Sequence, residues 1–303
     1  MRRIRTGTER TTRERKVIEG RILKAVGGSY EVETPEGLYI CKARGIFRAK
    51  GISPYAGDLV RISVEENAEP MVEEILPRKN ELVRPPLANL DLAVLVISAC
   101  EPSPNAYVID KLIAVLEYKG IEAVPVFTKP DLAECGRLMN VYEEIGYRCF
   151  SVNNKTGEGA EPLQAYLKRR ISALIGNSGV GKSSLMNLIF PNLGKETGEI
   201  SKKLGRGRHT TREALLVPYE GGYIADTPGF STVEVGRYAA IPKESLKKMF
   251  REFPEGKCRF ADCVHLKEVG CSVREAVSEH KIAESRYADY VRLYGELSAA
   301  ERY

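Results

Sequence analysis

One stretch of the sequence, residues 171–189, restricts the possible folds more than any other. The apolar run ISALI is followed by GNSGVGKS and then by SSLMNLI, which has helical spacing. This is the pattern G-x-x-x-x-G-K-S between a strand and a helix, in which backbone N–H groups and the helix dipole bind phosphate oxygens. The sequence therefore predicts an α/β domain with a phosphate-binding loop. A glycine-rich turn without a ligand is the alternative.

The residues of this predicted phosphate loop have separate tasks. Lys182 is expected to reach the β- and γ-phosphates and to take part in catalysis, and Ser183 is expected to hold Mg²⁺. Backbone N–H groups along the loop would contact the other phosphate oxygens. The predicted nucleotide-contacting residues are Gly176, Asn177, Ser178, Gly179, Val180, Gly181, Lys182, Ser183 and Ser184.

The surrounding residues, 78–235, alternate between strand and helix patterns. LAVLVI, IEAVPVFT and YRCFSV are apolar runs typical of strands buried in a parallel sheet. Helical spacing recurs between them, near residues 109–116, 132–145 and 162–168. This alternation predicts a doubly wound α/β domain.

A second candidate loop, Thr128-Lys129-Pro130-Asp131, follows the apolar strand AVPVF. A carboxylate at Asp131 would accept hydrogen bonds from guanine N1–H and its amino group, a pair of donors that adenine lacks. Lys129 would lie along the base, and Ser151, at the end of the next strand, would begin a second base-side loop. Thr128 stands where such loops usually carry Asn. Alone, this motif is best explained as a proline-stopped strand end; with the phosphate loop it predicts guanine binding.

The motif Asp226-Thr-Pro-Gly229 follows the short strand GYIA. Asp226 suits a Mg²⁺-bound water, and Gly229 suits an amide that senses the γ-phosphate; an ordinary turn is the alternative. The motif order is base loop, phosphate loop, then DTPG, whereas ordinary GTPases run phosphate loop, D-x-x-G, N-K-x-D. A circular permutation produces this order without changing the sheet. It also joins DTPG directly to the C-terminal region.

The N-terminal residues have a different sequence pattern from residues 78–235. Residues 16–77 contain five short strand patterns separated by turns, which predicts a small barrel of the OB or SH3-like kind. Residues 1–16 hold seven Arg or Lys and two Glu. Such a basic arm favours contact with a polyanion such as RNA, and a solvated terminus is the alternative.

The C-terminal residues contain a candidate metal site. Three of the seven cysteines, Cys258, Cys263 and Cys271, lie close to His265. Three thiolates and one imidazole complete a tetrahedral zinc shell, so the spacing predicts a structural zinc site. The other four cysteines are expected in the core, and a charged amphipathic helix is predicted over residues 275–296.

The composition excludes several classes of protein. Of 303 residues, 43% are hydrophobic and 29% are charged, which is typical of globular domains. No apolar run is long enough to span a membrane, and the basic N-terminus lacks the apolar segment of a secretory signal. We expect a cytoplasmic protein.

Taken together, TKPD, GNSGVGKSS, GRGRHTT, DTPGF and the cysteine cluster, in that order, resemble the RsgA (YjeQ/YloQ) family over nearly the whole chain. These are circularly permuted GTPases that assist maturation of the small ribosomal subunit. The resemblance implies a multidomain protein: a basic arm and OB-fold barrel at 1–77, a circularly permuted P-loop α/β GTPase domain at 78–235 and a helical zinc-binding domain at 236–303. It also implies GTP or GDP, Mg²⁺, one structural Zn²⁺, the 30S subunit with its 16S rRNA as partner, and a monomer.

The segment GRGRHTT lies where the first switch loop belongs, so Thr210 and Thr211 are candidates for sensing Mg²⁺ and the γ-phosphate. Phe230 follows DTPG, where Ras-like enzymes carry a water-orienting Gln, and a phenylalanine cannot orient water. The resemblance suggests His209 for that role. Alternatively, His209 contacts rRNA among its basic neighbours Lys202, Lys203, Arg206, Arg208 and Arg212.

Three other functions remain open at this point. The chain could be a GTPase switch that binds RNA outside the ribosome, or a nucleotide-binding module with little turnover. It could also be an ATP-using P-loop kinase or ATPase, if TKPD is accidental.

Overall fold

The computed structural model describes residues 15–45, 47, 51–191, 214–226 and 241–300. The chain divides into two compact units, with the boundary between Arg78 and Lys79. Each unit has its own core and is described by itself.

The first unit is a five-stranded barrel. Its strands are β1 (Lys16–Val26), β2 (Ser29–Thr34), β3 (Gly37–Ala43), β4 (Leu59–Val64) and β5 (Met71–Ile75). They lie in the order β1-β2-β3-β5-β4, and β4 pairs back with β1 to close the barrel. All pairs are antiparallel except β3 with β5. This five-stranded closed arrangement is the OB type, so the expectation of a small barrel is confirmed.

Strand β1 pairs with β4 through its first half and with β2 through its second half, and Gly20 lies close to the backbone of β2. A Cβ at Gly20 would lie 2.5 Å from the Glu33 carbonyl oxygen, so only glycine allows this approach. The inward-facing apolar residues fill the interior, with Ile22, Val32 and Ile62 fully buried.

The second unit contains a six-stranded sheet. After the short hairpin of β6 (Glu81–Leu82) and β7 (Leu87–Ala88), the elements that build it are β8 (Leu92–Ser98), α1 (Ala106–Lys119), β9 (Glu122–Thr128), α2 (Gly136–Glu144), β10 (Phe150–Val152), α3 (Ala160–Leu167), β11 (Ile171–Ile175), α4 (Lys182–Ile189), β12 (Leu215–Tyr219) and β13 (Gly222–Asp226). The strand order is β10-β9-β8-β11-β13-β12. Neighbours are parallel except β12 and β13, which form an antiparallel hairpin. The predicted α/β alternation is confirmed, and β12 was not predicted.

The parallel strands all end at one edge of this sheet. In open α/β sheets ligands bind outside the carboxyl ends of the strands. Strands β8, β9 and β11 are buried along their whole length or nearly so, because helices cover both faces of the sheet. The loops after β9, β10, β11 and β13 therefore share that edge, although they come from distant parts of the chain.

The C-terminal residues of this unit are mainly helical. They form α5 (Lys243–Leu246), a 3₁₀ turn (Lys247–Met249), α6 (Ser272–Ser278) and α7 (Glu284–Ala300). The prediction of one continuous helix over residues 275–296 is wrong, because the helix is interrupted between α6 and α7. His280 has φ 58° and its N–H donates to the Val277 carbonyl, while the N–H of Lys281 turns back to Ala276. This left-handed turn ends α6 and lets Ile282, 3% exposed, enter the core.

Buried charges join the C-terminal helices to α1. Arg286 of α7 is 1% exposed, and its Nη1 lies 2.8 Å from Asp110 Oδ1 on α1. Its Nε donates to Glu252 Oε1 at 2.7 Å, and Tyr142 Oη donates to Asp110 at 2.8 Å. Burial raises the pKa of Asp110 to about 7, and the contact with Arg286 offsets part of that rise. That residues 236–303 form a domain of their own stays a prediction.

Among the described helices, none combines the length and the apolar character that crossing a bilayer requires.

Candidate functional site

The phosphate loop of residues 176–183 connects β11 to α4. Gly179 and Gly181 have φ values of 81° and 89°, which glycine adopts without strain. Val180 is buried and belongs to the apolar core of the sheet, whereas Ser178 and Ser183 are exposed. Helix α4 begins without a side-chain cap and without an acidic residue in its first turn. Its first N–H groups can therefore bind an anion.

Lys182, the first residue of α4, is half-buried. Its Nζ donates to the Gly176 carbonyl at 3.3 Å, so the ammonium group folds back over the loop. Gly176 itself leaves no room for a side chain, because a Cβ would lie 2.9 Å from the Val96 carbonyl oxygen. The positive charge of Lys182 therefore lies beside the loop whose N–H groups are predicted to bind phosphate.

The TKPD loop is hydrogen-bonded directly to the phosphate loop. Thr128, at the end of β9, is fully buried and its Oγ1 donates to the Val180 carbonyl at 2.6 Å. Lys129 has φ 58°, and its Nζ donates to the carbonyl of Gly179 at 3.0 Å and to that of Glu101. Threonine at position 128 thus makes the supporting contact that an asparagine amide could make.

Asp131 pairs with the loop that follows β10. Its Oδ2 accepts from Lys155 Nζ at 3.0 Å, and this hydrogen bond lowers the pKa of the Asp131 carboxyl. The carboxylate is therefore ionised at neutral pH and able to accept hydrogen bonds. Pro130 separates it from Lys129, and Ser151 lies in β10 opposite Phe127 of β9.

The loop after β10 contributes residues that the sequence had not singled out. Asn153 Oδ1 accepts from the N–H of Lys155 at 2.9 Å, which folds the loop into a tight turn. Asn154 Nδ2 donates to the Gly181 carbonyl at 3.0 Å. The polar run NNKTG, directly after a buried strand, was the signal that could have indicated them.

Most residues predicted to contact the γ-phosphate fall outside the described part of the chain. Asp226 is the last residue of β13, and its backbone pairs with Leu215 of β12. Strand β13 lies next to β11, the strand that leads into the phosphate loop. The remaining predicted residues, Gly229, Phe230, His209, Thr210 and Thr211, lie outside the described part of the chain, so their roles stay predictions.

The cysteine cluster forms a second site. The ligand atoms of Cys258, Cys263, His265 and Cys271 all lie within 4.8 Å of one another. His265 Nδ1 is 3.5, 3.4 and 3.4 Å from the three sulfurs. A tetrahedral zinc ion, with Zn–S near 2.3 Å and Zn–N near 2.0 Å, would separate S and N by about 3.5 Å. The residues therefore fit a closed zinc site.

Helix α7 holds the backbone around this cluster. Tyr287 Oη donates to the His265 carbonyl and Tyr290 Oη to the Val264 carbonyl, both at 2.8 Å. Glu268 caps the same loop, accepting from the N–H of Val264 at 2.9 Å. The metal-ligand loop and the buried Arg286 thus share one supporting helix.

Known proteins resemble the chain over nearly its whole length. The RsgA N-terminal domain model matches residues 19–72, and the RsgA GTPase model matches residues 75–236. A relative from Caldanaerobacter subterraneus subsp. tengcongensis, named small ribosomal subunit biogenesis GTPase RsgA, is 46% identical over 94% of this chain and 97% of its own length. YjeQ from Thermotoga maritima is 37% identical, with a TM-score of 0.77 over 93% of this chain and 99% of its own. YloQ, described as a circularly permuted GTPase, is 33% identical, with a TM-score of 0.78 over 94% and 96%.

The barrel, the strand order and the order of the motifs define a circularly permuted P-loop GTPase with a C-terminal Cys₃His cluster. The chain belongs to the RsgA GTPase family.

Proposed function

We propose that this protein hydrolyses GTP during late maturation of the small ribosomal subunit and couples hydrolysis to its own release. One observation carries the nucleotide part: Lys129, Thr128 and the loop after β10 are hydrogen-bonded to the phosphate loop at one sheet edge. Asp131 then reads the guanine edge, with Thr128, Lys129, Pro130 and Ser151 forming the rest of the base side.

In this proposal the phosphates lie on the N–H groups of residues 176–184. Lys182 stabilises charge on the β- and γ-phosphates. Ser183 and Asp226 would hold Mg²⁺, which would supply positive charge beside the transferred phosphate. Thr210 or Thr211 and Gly229 sense the γ-phosphate. His209 orients the attacking water, because Phe230 offers no polar group for this task.

The partner in this proposal is the 30S subunit with its 16S rRNA. Relatives named small ribosomal subunit biogenesis GTPase support it, as do the basic residues 1–16 in front of a barrel of the kind that binds nucleic acid. One structural Zn²⁺ holds the Cys₃His loop. The protein acts as a monomer in the cytoplasm, where ribosomal subunits mature.

The GTPase rate with and without purified 30S subunits tests this proposal. A catalytic group supplied by a partner protein accelerates other P-loop GTPases by about 10³–10⁵-fold. Equimolar 30S subunits should therefore raise the GTPase rate at least about tenfold. Purified 50S subunits and the Lys182→Ala variant are the controls. An unchanged rate would overturn the ribosome-coupled part, and displacement of labelled GTP by equimolar ATP would overturn the choice of nucleotide.

A further inference from the structure

Three consecutive carbonyls of the phosphate loop accept hydrogen bonds from three different side chains of the base-side loops. Gly179 accepts from Lys129, Val180 from Thr128 and Gly181 from Asn154. In a trans peptide the C=O and the following N–H point in opposite directions. Carbonyls turned towards the base-side loops therefore turn the N–H groups of residues 180–182 to the other side, where phosphate binds.

The third of these bonds takes its donor from outside the TKPD loop. A threonine hydroxyl has one hydrogen, and the Thr128 hydroxyl directs it to the Val180 carbonyl at 2.6 Å. Thr128 therefore has no hydrogen left for the Gly181 carbonyl, and a side-chain donor to it comes from another loop. Asn154 supplies it at 3.0 Å, beside the Leu185 N–H, which occupies the other lone pair of Gly181 at 2.9 Å.

The approach of Asn154 is built into the loop. A Cβ at Gly181 would lie 2.8 Å from Asn154 Nδ2, so a larger residue there would push the amide out of its present position. The Asn154 Oδ1 is buried and has no hydrogen-bond partner among the described residues. Burying an amide that could otherwise face water is costly, which indicates that the contact has a role.

We propose that Asn154 is a positioning residue of the phosphate loop: its amide orients the Gly181–Lys182 peptide so that the Lys182 N–H faces the β-phosphate of the nucleotide. This inference rests on the proposed GTP-binding function. Asn154 acts through the backbone and not on the base, so its contribution should depend on the phosphates and not on the purine.

The test compares GDP with GMP, which share the base and differ in the β-phosphate. Each competes with a fluorescent GDP analogue for the full-length protein. Asn154→Ala should raise the Kd for GDP about 3- to 10-fold, the size of one lost hydrogen bond, and change that for GMP less than about twofold. Asp131→Asn should instead weaken GDP and GMP by the same factor. Asn140→Ala, on the exposed side of α2, is the matched control and should change neither.

A GDP affinity within about twofold of the wild type would overturn the inference, as would an equal loss for GMP. If Asn154→Ala lowers Tm by more than about 5 °C, Asn154→Ser replaces it, since serine is too short to reach the Gly181 carbonyl, and the same GDP-to-GMP comparison decides. A wild-type protein that binds no GDP would overturn the proposed function, and this inference with it.

Discussion

We call the edge of the sheet formed by the loops after β9, β10 and β11 the nucleotide edge. This edge and the C-terminal region are both built from short loops, but different interactions stabilise them. At the nucleotide edge the loops rest on strands of a continuous apolar core that includes Leu92, Val126, Leu174 and Val180. Side-chain hydrogen bonds only adjust the direction of the backbone there. The C-terminal region buries apolar residues such as Phe250 and Leu293, and it adds the Cys₃His cluster and the buried charges around Arg286.

This difference teaches which residues can change without unfolding the chain. Polar residues at the nucleotide edge can be replaced with loss of ligand affinity, because the core keeps the loops in place. In the C-terminal region we expect the buried polar residues and a zinc ion in the Cys₃His cluster to support the fold, so their loss should cost stability. Each of the following experiments tests whether a residue affects stability or ligand affinity, and can contradict this difference between the two regions.

The largest effect is expected at the metal cluster. Cys263→Ser should abolish zinc binding and unfold residues 258–271, since structural zinc contributes on the order of 10 kcal/mol in small zinc-binding peptides. Zinc content by elemental analysis and amide hydrogen exchange would measure it. Cys135→Ser, away from the cluster, should keep its zinc. Full hydrogen-exchange protection without zinc would contradict the expectation.

The next largest effect is expected at the buried charges. Arg286→Met leaves Asp110 and Glu252 buried without their cation and should cost about 3–5 kcal/mol in urea unfolding. Arg292→Met, on the exposed side of α7, should cost less than about 1 kcal/mol. Asp110→Asn should fall between them, because burial raises the pKa of Asp110 to about 7 and part of its charge is absent at neutral pH. If Arg286→Met and Arg292→Met lower the free energy of unfolding equally, the buried charges do not support the C-terminal region.

At the nucleotide edge the effect should appear in affinity and not in stability. Asp131→Asn removes a charged acceptor for guanine and should weaken GTP about 10- to 150-fold, equal to about 1.5–3 kcal/mol. It should bind xanthosine nucleotides better than the wild type does, since an amide can donate to the xanthine oxygen. Competition binding and a thermal melt measure the two properties. A Tm that falls with the affinity would show that this edge is also structural.

The smallest effect is expected at Thr128. Thr128→Val keeps the side-chain volume and removes the hydroxyl that donates to the Val180 carbonyl. The binding free energy of GDP should become less favourable by about 1 kcal/mol, which raises the Kd roughly fivefold. Thr128→Ser keeps the hydroxyl and should stay near the wild type. If serine loses as much affinity as valine, packing and not the hydrogen bond supports the loop.

Short-range patterns made much of the fold predictable. The apolar runs LAVLVI and AVPVF are strands β8 and β9 because a strand buried on both faces needs an unbroken apolar sequence. Strand β12 was missed, since LLVPY is short and contains a proline, a residue that argues against a strand in a sequence-based prediction. The break before α7 was missed because no glycine or proline marks it; His280 adopts the left-handed conformation instead.

The sequence by itself determined the motifs, their permuted order and the Cys₃His cluster, because each depends on residues close together in the chain. Only the tertiary structure decided which distant residues meet. Asn154 reaches Gly181, and Arg286 reaches Asp110, through the packing of elements that are far apart in sequence. Local periodicity carries no information on such pairs: their geometry is set by how the strands order in the sheet and how α7 docks on α1. The phosphate loop was therefore readable from the sequence, and its support from the base-side loops was not.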